Sequence, residues 1–117
     1  TQGYSSAASD VYKRQGVKGA SIFYPSARNP YVSRLSRSSK RLSKKLLNAY
    51  CKKTGIKKRG CSGRDDLTGT NWSKIPVTLI ECGFLSNPSE DRKLQNKSFQ
   101  KKMAVGMANG VDAYFGY

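Results

Sequence analysis

The fold of this 117-residue chain is decided by residues 75–88, whose sequence is Ile-Pro-Val-Thr-Leu-Ile-Glu-Cys-Gly-Phe-Leu-Ser-Asn-Pro. The apolar, β-branched first half predicts a buried strand over residues 77–80. The strand runs into the acid Glu81, and open α/β sheets place reactive groups at the carboxyl ends of such strands. Partial burial would prepare this carboxyl group to transfer a proton. The spacing by itself favours a simpler alternative, a strand-end glutamate that points into water.

Strand and helix signals alternate along the rest of the chain. Residues 19–24 are β-prone and predict a strand, whereas residues 33–54 have helical periodicity and are followed by Gly55, a good helix stop. Ser89 and Ser98 are placed to cap a short helix and a final helix. This alternation predicts an α/β fold with a small, mainly parallel sheet and helices on both faces.

The two long predicted helices each have one apolar face. On the first, the apolar positions are Leu35, Leu42, Leu46, Ala49 and Tyr50. On the last, they are Phe99, Met103, Met107, Val111 and Tyr114. The final helix also has Gly106 and Gly110 four residues apart, which would let another backbone approach closely. Both helices are therefore expected to pack on a core.

A resemblance to a known family becomes visible in residues 81–87, Glu-Cys-Gly-Phe-Leu-Ser-Asn. This segment resembles the C-terminal signature of zinc-dependent N-acetylmuramoyl-L-alanine amidases, cell-wall hydrolases that cut the bond between muramic acid and the stem peptide. Other parts follow in the family's order: residues 19–24, residues 39–42, Arg59-Gly60, Asp66-Leu67, Leu94 and Tyr114-Phe115. The resemblance covers residues 16–117 and implies that Glu81 is the catalytic acid/base.

One part of the family pattern is missing. The resemblance implies a zinc ion held by two histidines and a glutamate, all N-terminal to the strand at Ile22, but this chain contains no histidine. Oxygen ligands alone would not reproduce that tetrahedral site. We therefore expect residues 16–117 to be the C-terminal part of an amidase catalytic domain without the N-terminal strands of the family fold. Such a fragment would bind no metal and be inactive alone.

The first fifteen residues are polar and have no periodicity. Residues 6–15 resemble translated adapter sequence, so we expect residues 1–15 to be a non-native or disordered leader and exclude them from the fold. No run in the chain is long and apolar enough to span a membrane, and no signal peptide is visible. The family resemblance implies a secreted or wall-associated protein of bacterial or phage origin. Autolysin, sporulation enzyme and phage lysin all remain open.

The charge of the chain is strongly positive. Lysine and arginine number 22 against 7 acids, a net charge of +15, and residues 28–64 contain no acid. Such a surface favours polyanionic partners. We expect a monomer that binds peptidoglycan and anionic wall polymers. The alternatives are a nucleic-acid-binding module that contacts bases with Tyr24, Tyr31 or Tyr50, and a non-catalytic, amidase-like wall-binding domain.

The segment before residue 75 is rich in glycine and contains paired acids. Asp65 and Asp66 are predicted to satisfy their own turn, and Trp72 is predicted to be partly buried. In the resembling family this segment lies near the substrate groove, which makes Arg64 and Asn71 candidate substrate contacts. Asn87, in the signature, is a third candidate, although it is mainly expected to shape the loop beside the catalytic acid.

The three cysteines are Cys51, Cys61 and Cys82. Their spacings of 10 and 21 residues match no common zinc-finger pattern, so free structural thiols are the main prediction. A bridge between Cys51 and Cys61 would require the helix end and the following loop to meet at disulfide distance. Nucleophilic chemistry at Cys82 is disfavoured because no histidine is available to activate the thiol.

Overall fold

The computed structural model describes residues 19–81 and 88–116. The predicted leader, Cys82 and Asn87 lie outside this part of the chain. The strands are β1 (Ala20–Tyr24), β2 (Lys58–Gly63) and β3 (Leu79–Glu81). After a 3-10 turn (Ser33–Leu35) come the helices α1 (Ser36–Thr54), α2 (Thr68–Asn71), α3 (Pro88–Gln95) and α4 (Lys97–Phe115). The α/β class predicted from the sequence is confirmed.

The sheet is mixed rather than mainly parallel. Its strand order is β2-β1-β3, with β1 parallel to β2 and antiparallel to β3. A parallel neighbour needs a long crossover connection, usually a helix, that returns the chain to the starting edge. Helix α1 makes that crossover between β1 and β2. The connection from β2 to β3 contains only the four-residue helix α2 and does not return the chain to the end at which β1 and β2 begin. Strand β3 therefore runs antiparallel to β1.

Two strand predictions need correction. The structure places β3 at Leu79–Glu81 instead of residues 77–80, and the strand is not buried, because Leu79 is 42% exposed and Ile80 and Glu81 are half-buried. Strand β2 was missed because its sequence, Lys-Arg-Gly-Cys-Ser-Gly, has no apolar run. Its backbone pairs with β1, and among its side chains Cys61 packs against the core.

The core lies between β1 and α1. Its buried cluster contains Ala20, Ile22, Leu46, Leu47, Tyr50 and Ile56. Helix α4 packs directly on α1, because Gly106 and Gly110 are both buried against it. A Cβ atom added to Gly110 would lie 2.5 Å from the Leu46 Cα. The predicted close approach at the two glycines is therefore confirmed, whereas Val111, expected in the apolar stripe, is 40% exposed.

The two long helices lie on the same side of the described sheet. Helix α1 covers the face that carries Ala20 and Ile22, and α4 packs on α1. This arrangement differs from the predicted helices on both faces. The opposite face of the sheet, which carries Phe23, Leu79 and Glu81, is half-buried or exposed.

The N-terminal half of α1 contacts the two residues that precede β3 through serines. The Ser39 hydroxyl, fully buried, accepts a hydrogen bond from the Val77 N–H at 2.9 Å. Ser43 hydrogen-bonds with the Thr78 hydroxyl at 2.9 Å, and Thr78 in turn donates to the Phe23 carbonyl at 3.3 Å. Small polar side chains therefore hold the segment that leads into β3.

Helix ends match the sequence at some positions and differ at others. Gly55 ends α1 with a left-handed backbone (φ 75°), and its N–H donates to the Cys51 carbonyl. Asn96, and not Ser98, caps α4, because its side chain accepts from the Phe99 N–H at 3.0 Å. Helix α3 begins at Pro88, one residue before the predicted cap at Ser89.

Candidate active site

Glu81 projects from the sheet face opposite to α1. It pairs in register with Ser21, while Ile80 pairs with the buried Ile22. Because residues directly opposite each other in a sheet point to the same face and neighbours alternate, Glu81 shares its face with Ser21 and Phe23. Since β3 is antiparallel, Glu81 lies at the edge away from the carboxyl ends of β1 and β2. Glu81 is the last residue of β3, so its predicted position at the end of the strand is confirmed, although β3 is antiparallel and does not share a carboxyl edge with β1 and β2. The catalytic role of Glu81 stays a prediction.

Arg64 lies on the same face as Glu81. It follows β2, and its Cζ atom stands 5.2 Å from the centre of the Phe23 ring. Its Nε and Nη2 atoms donate to the Asp66 carboxylate at 2.6 and 3.0 Å. The hydrogen bond to Asp66 raises the pKa of Arg64, and the charge of Glu81 adds to this effect. The structure thus brings a fixed guanidinium within electrostatic reach of the candidate catalytic acid.

Asp65 ties the loop after β1 to the segment after β2. Its carboxylate accepts from the Ser26 N–H at 2.9 Å, from the Ser26 hydroxyl, and from the Asn29 amide at 2.8 Å. The hydrogen bonds from Ser26 are the main reason why the pKa of Asp65 is lowered. These partners are far away in the sequence, so the prediction that Asp65 only satisfies its own turn is wrong.

Asn29 and Asn71 complete this network. Asn29 is 3% exposed, and its amide nitrogen also donates to the Asn71 side-chain oxygen at 2.8 Å. The Asn71 amide nitrogen donates to the Asp65 carbonyl at 3.1 Å. Both ends of the Asn71 amide are therefore engaged within the protein, and its predicted contact with substrate stays a prediction. In the sequence, Asn29 followed by Pro30 indicates only a loop, and no local pattern identifies Asn29 as a buried residue.

The aromatic residues differ from expectation. Trp72 is 79% exposed, so its predicted partial burial is wrong. Among the tyrosines proposed for base contacts, Tyr24 and Tyr50 are buried, whereas Tyr31 is 70% exposed. Buried rings cannot stack on bases, and the nucleic-acid alternative keeps one of its three aromatic platforms.

The residues that the structure describes do not fit a zinc site. In the described ranges, 19–81 and 88–116, no group of three or more His, Cys, Asp or Glu side chains could hold a metal ion. Cys51 and Cys61 are free thiols, as predicted, and burial raises the pKa of both, which disfavours the thiolate form that binds metal. The chain contains no histidine, so imidazole ligands would have to come from outside this sequence.

Comparison with protein families decides the assignment. The family model described as N-acetylmuramoyl-L-alanine amidase matches residues 9–113. The chain belongs to this amidase family. The match begins within residues 1–15, and the division of the chain at residue 15 stays a prediction.

Solved amidases share the fold. The CwlD amidase from Clostridioides difficile, solved in complex with the GerS lipoprotein, is 31% identical with a TM-score of 0.76, and the match covers 87% of this chain and 48% of that chain. An N-acetylmuramoyl-L-alanine amidase from Clostridium difficile 630 is 27% identical with a TM-score of 0.73, over 86% of this chain and 50% of that one.

Sequence relatives cover shorter segments. AmiA of Salmonella typhimurium is 44% identical over 41 residues, which are 35% of this chain and 14% of AmiA. The uncharacterized protein YqiI of Bacillus subtilis is 31% identical over 78 residues, 67% of this chain and 37% of YqiI. The amidase chain thus spans about half the length of the two solved structures and less of these two relatives.

Within its described residues, no helix is long and apolar enough to cross a membrane.

Proposed function

We propose that this chain is the C-terminal part of a peptidoglycan amidase that cleaves the amide between N-acetylmuramic acid and the L-alanine of the stem peptide. The observation that supports it most is the position of Glu81. In a chain of the amidase family, this residue is half-buried on the sheet face opposite to α1, and its charge acts on the fixed guanidinium of Arg64. The protein would act at the cell wall, as a monomer.

In this proposal Glu81 moves the proton. It accepts a proton from the water that attacks the amide carbonyl, and it delivers this proton to the nitrogen of L-alanine as the C–N bond breaks. The products are the free carboxylate on the muramic acid side and the free amine of the peptide. Zinc, which the family resemblance implies, would supply polarisation of the carbonyl and activation of the water if ligands from outside this sequence held it. This sequence contains no histidine, so the implied histidine ligands would have to lie outside it, and we expect the chain alone to be inactive.

Arg64 would contact the substrate beside Glu81. Its guanidinium is held by Asp66 on one side and by the Phe23 ring below, so it loses little freedom when it binds an oxygen of the stem peptide. Asn71 and Asn87 are the two further candidate substrate contacts. Asn87 lies outside the described residues.

The experiment is a Glu81→Gln substitution in the complete protein that carries this sequence. General acid–base catalysis contributes about 10²- to 10⁴-fold, so release of free L-alanine amino groups from purified peptidoglycan should fall by about that factor. Asp112→Asn is the matched control, because it neutralises an exposed acid on α4 and should leave the rate unchanged. Full activity in the Glu81→Gln protein would overturn the assignment.

A non-catalytic, wall-binding domain is the second candidate. It is favoured by one observation, the lack of histidine and of a metal-ligand cluster among the described residues. The same experiment separates the two candidates. A complete protein that binds peptidoglycan without releasing amino groups, whether or not Glu81 is present, would support the second.

A further inference from the structure

An open, basic groove lies beside the first half of α1, on a different part of the surface from the Glu81 carboxylate. Its volume is about 680 Å³, and its lining includes the side chains of Ser26, Ser33, Ser36, Arg37 and Lys40. A second depression of about 350 Å³ adjoins it and shares Arg37; it also contains Arg34 and Arg41. The lining therefore combines cations with hydroxyl groups, and we call the two depressions together the cationic groove.

The cations of the groove are not neutralised by neighbouring acids. Among the described residues, Arg34, Arg37, Lys40 and Arg41 form no ion pair, and all four side chains are exposed. Arg41 is oriented by the Tyr114 ring, with its Cζ atom 4.8 Å from the ring centre. One acid borders the groove, Asp65, and its carboxylate is already hydrogen-bonded by Ser26 and Asn29. The positive charge therefore remains available to a ligand.

The spacing of these charges fits a linear ligand. Residues three and four apart on a helix are neighbours about 5–6 Å apart, so Arg37 lies beside Lys40 and Arg41 on α1. Arg34 precedes them in the 3-10 turn and lines the same depression as Arg37 and Arg41. Like charges at this spacing destabilise a helix, and a bound polyanion would relieve their repulsion. Arginine forms bidentate hydrogen bonds with phosphate, and three of the four cations are arginines.

We propose that the cationic groove binds a linear polyol-phosphate polymer of the bacterial cell wall. Such a polymer presents one phosphate per repeat to the cations and free hydroxyls to the exposed Ser33 at the rim of the groove. It would hold the protein against the cell wall that contains the peptidoglycan. The inference extends the proposed function to a second wall component and does not depend on Glu81.

The groove fits other polyanions less well. Single-stranded nucleic acid is held by aromatic side chains that stack on bases, but Tyr24, the one aromatic residue in the lining, is buried. A helix that lies on a membrane needs a free apolar face, and the apolar face of α1 packs on β1 and α4.

The test is the binding of the 117-residue chain to purified poly(glycerol phosphate), measured by calorimetry at low and at physiological salt. The variant is the double substitution Arg37→Gln with Lys40→Gln. The matched control is Lys52→Gln with Lys53→Gln, which removes the same charge from the same helix about 20 Å away. We expect the groove variant to bind about tenfold or more weakly and the control to bind within about threefold of the parent.

Each outcome decides the proposal. A selective loss in the groove variant, together with a smaller effect of salt on its affinity, supports it. Equal losses in the two variants would show that net charge alone is responsible, and tighter binding to a DNA oligonucleotide than to the polymer would assign the groove to nucleic acid; either result overturns it. Urea unfolding of both variants checks that the fold is retained. Since Glu81→Gln should bind the polymer normally, failure here is distinguishable from failure of the amidase proposal.

Discussion

The two halves of α1 are held in the fold by different forces. The C-terminal half carries Leu46, Leu47 and Tyr50, which are buried against β1 and α4. The N-terminal half is buried through serines, and Ser39 and Ser43 hydrogen-bond with the segment leading into β3. Shape complementarity fixes the C-terminal half, and hydrogen-bond partners fix the N-terminal half. The C-terminal half of α1 is therefore anchored by apolar packing. The N-terminal half is anchored by polar contacts to the segment that leads to the candidate catalytic acid.

The largest expected effect tests the packed half. In Gly110→Ala, the new Cβ atom would lie 2.5 Å from the Leu46 Cα, so α4 must move away from α1. Overpacking of this kind costs about 3 kcal/mol in the free energy of unfolding. Urea denaturation of the 117-residue chain measures it. Gly69→Ala is the matched control, a helical glycine whose added Cβ meets nothing within 4 Å. Equal stabilities of the two variants would show that the glycine contact does not limit helix packing.

An intermediate effect tests the polar network beside the N-terminal half. Asp65→Ala leaves the Ser26 and Asn29 donors without their acceptor, and we expect the free energy of unfolding to fall by about 2 kcal/mol. Asp66→Ala, which removes the neighbouring exposed acid, should cost less. The readout is again urea denaturation at neutral pH.

The same variant should change the response to acid. Because the pKa of Asp65 is lowered in the folded state, the unfolded chain binds more protons, and the contribution of Asp65 is present above its unfolded pKa of about 3.9. That contribution is lost as the pH falls through the lower, folded pKa. Stability of Asp65→Ala should therefore fall less steeply than that of the parent below about pH 4. Parallel stability curves would contradict the role given to this carboxylate.

The smallest effect tests the contact between α1 and β3. Ser39→Ala removes the acceptor of the Val77 N–H, and we expect a loss of about 1 kcal/mol. Ser38→Ala is the control, because the Ser38 hydroxyl donates within its own region, to the Leu35 carbonyl. In the complete protein, Ser39→Ala should also lower amidase activity if the segment at residue 77 positions Glu81. Unchanged stability of both variants would mean that the serine contact is dispensable.

Prediction from sequence worked best where a residue acts locally. The helix stop at Gly55, the close approach at Gly106 and Gly110, and the family signature around Glu81 were all visible in the sequence. It failed where a partner lies far along the chain. Nothing near Asp65 shows that its partners are Ser26 and Asn29, and nothing in the basic, glycine-rich sequence of β2 shows that its backbone pairs with β1.

The sequence by itself determined the α/β class, the amidase family, the candidate acid Glu81 and the excess of positive charge, because periodicity, short motifs and composition are local properties. The tertiary structure alone decided the direction of β3, the face from which Glu81 projects, the position of Arg64 over Phe23 and the groove around Arg37. These features depend on which distant segments meet, and that depends on where the connections lead the chain. The three residues of β3 could pair with β1 in a parallel or an antiparallel direction. Only the connection from β2 fixed that direction, and with it the place of Glu81 on the sheet.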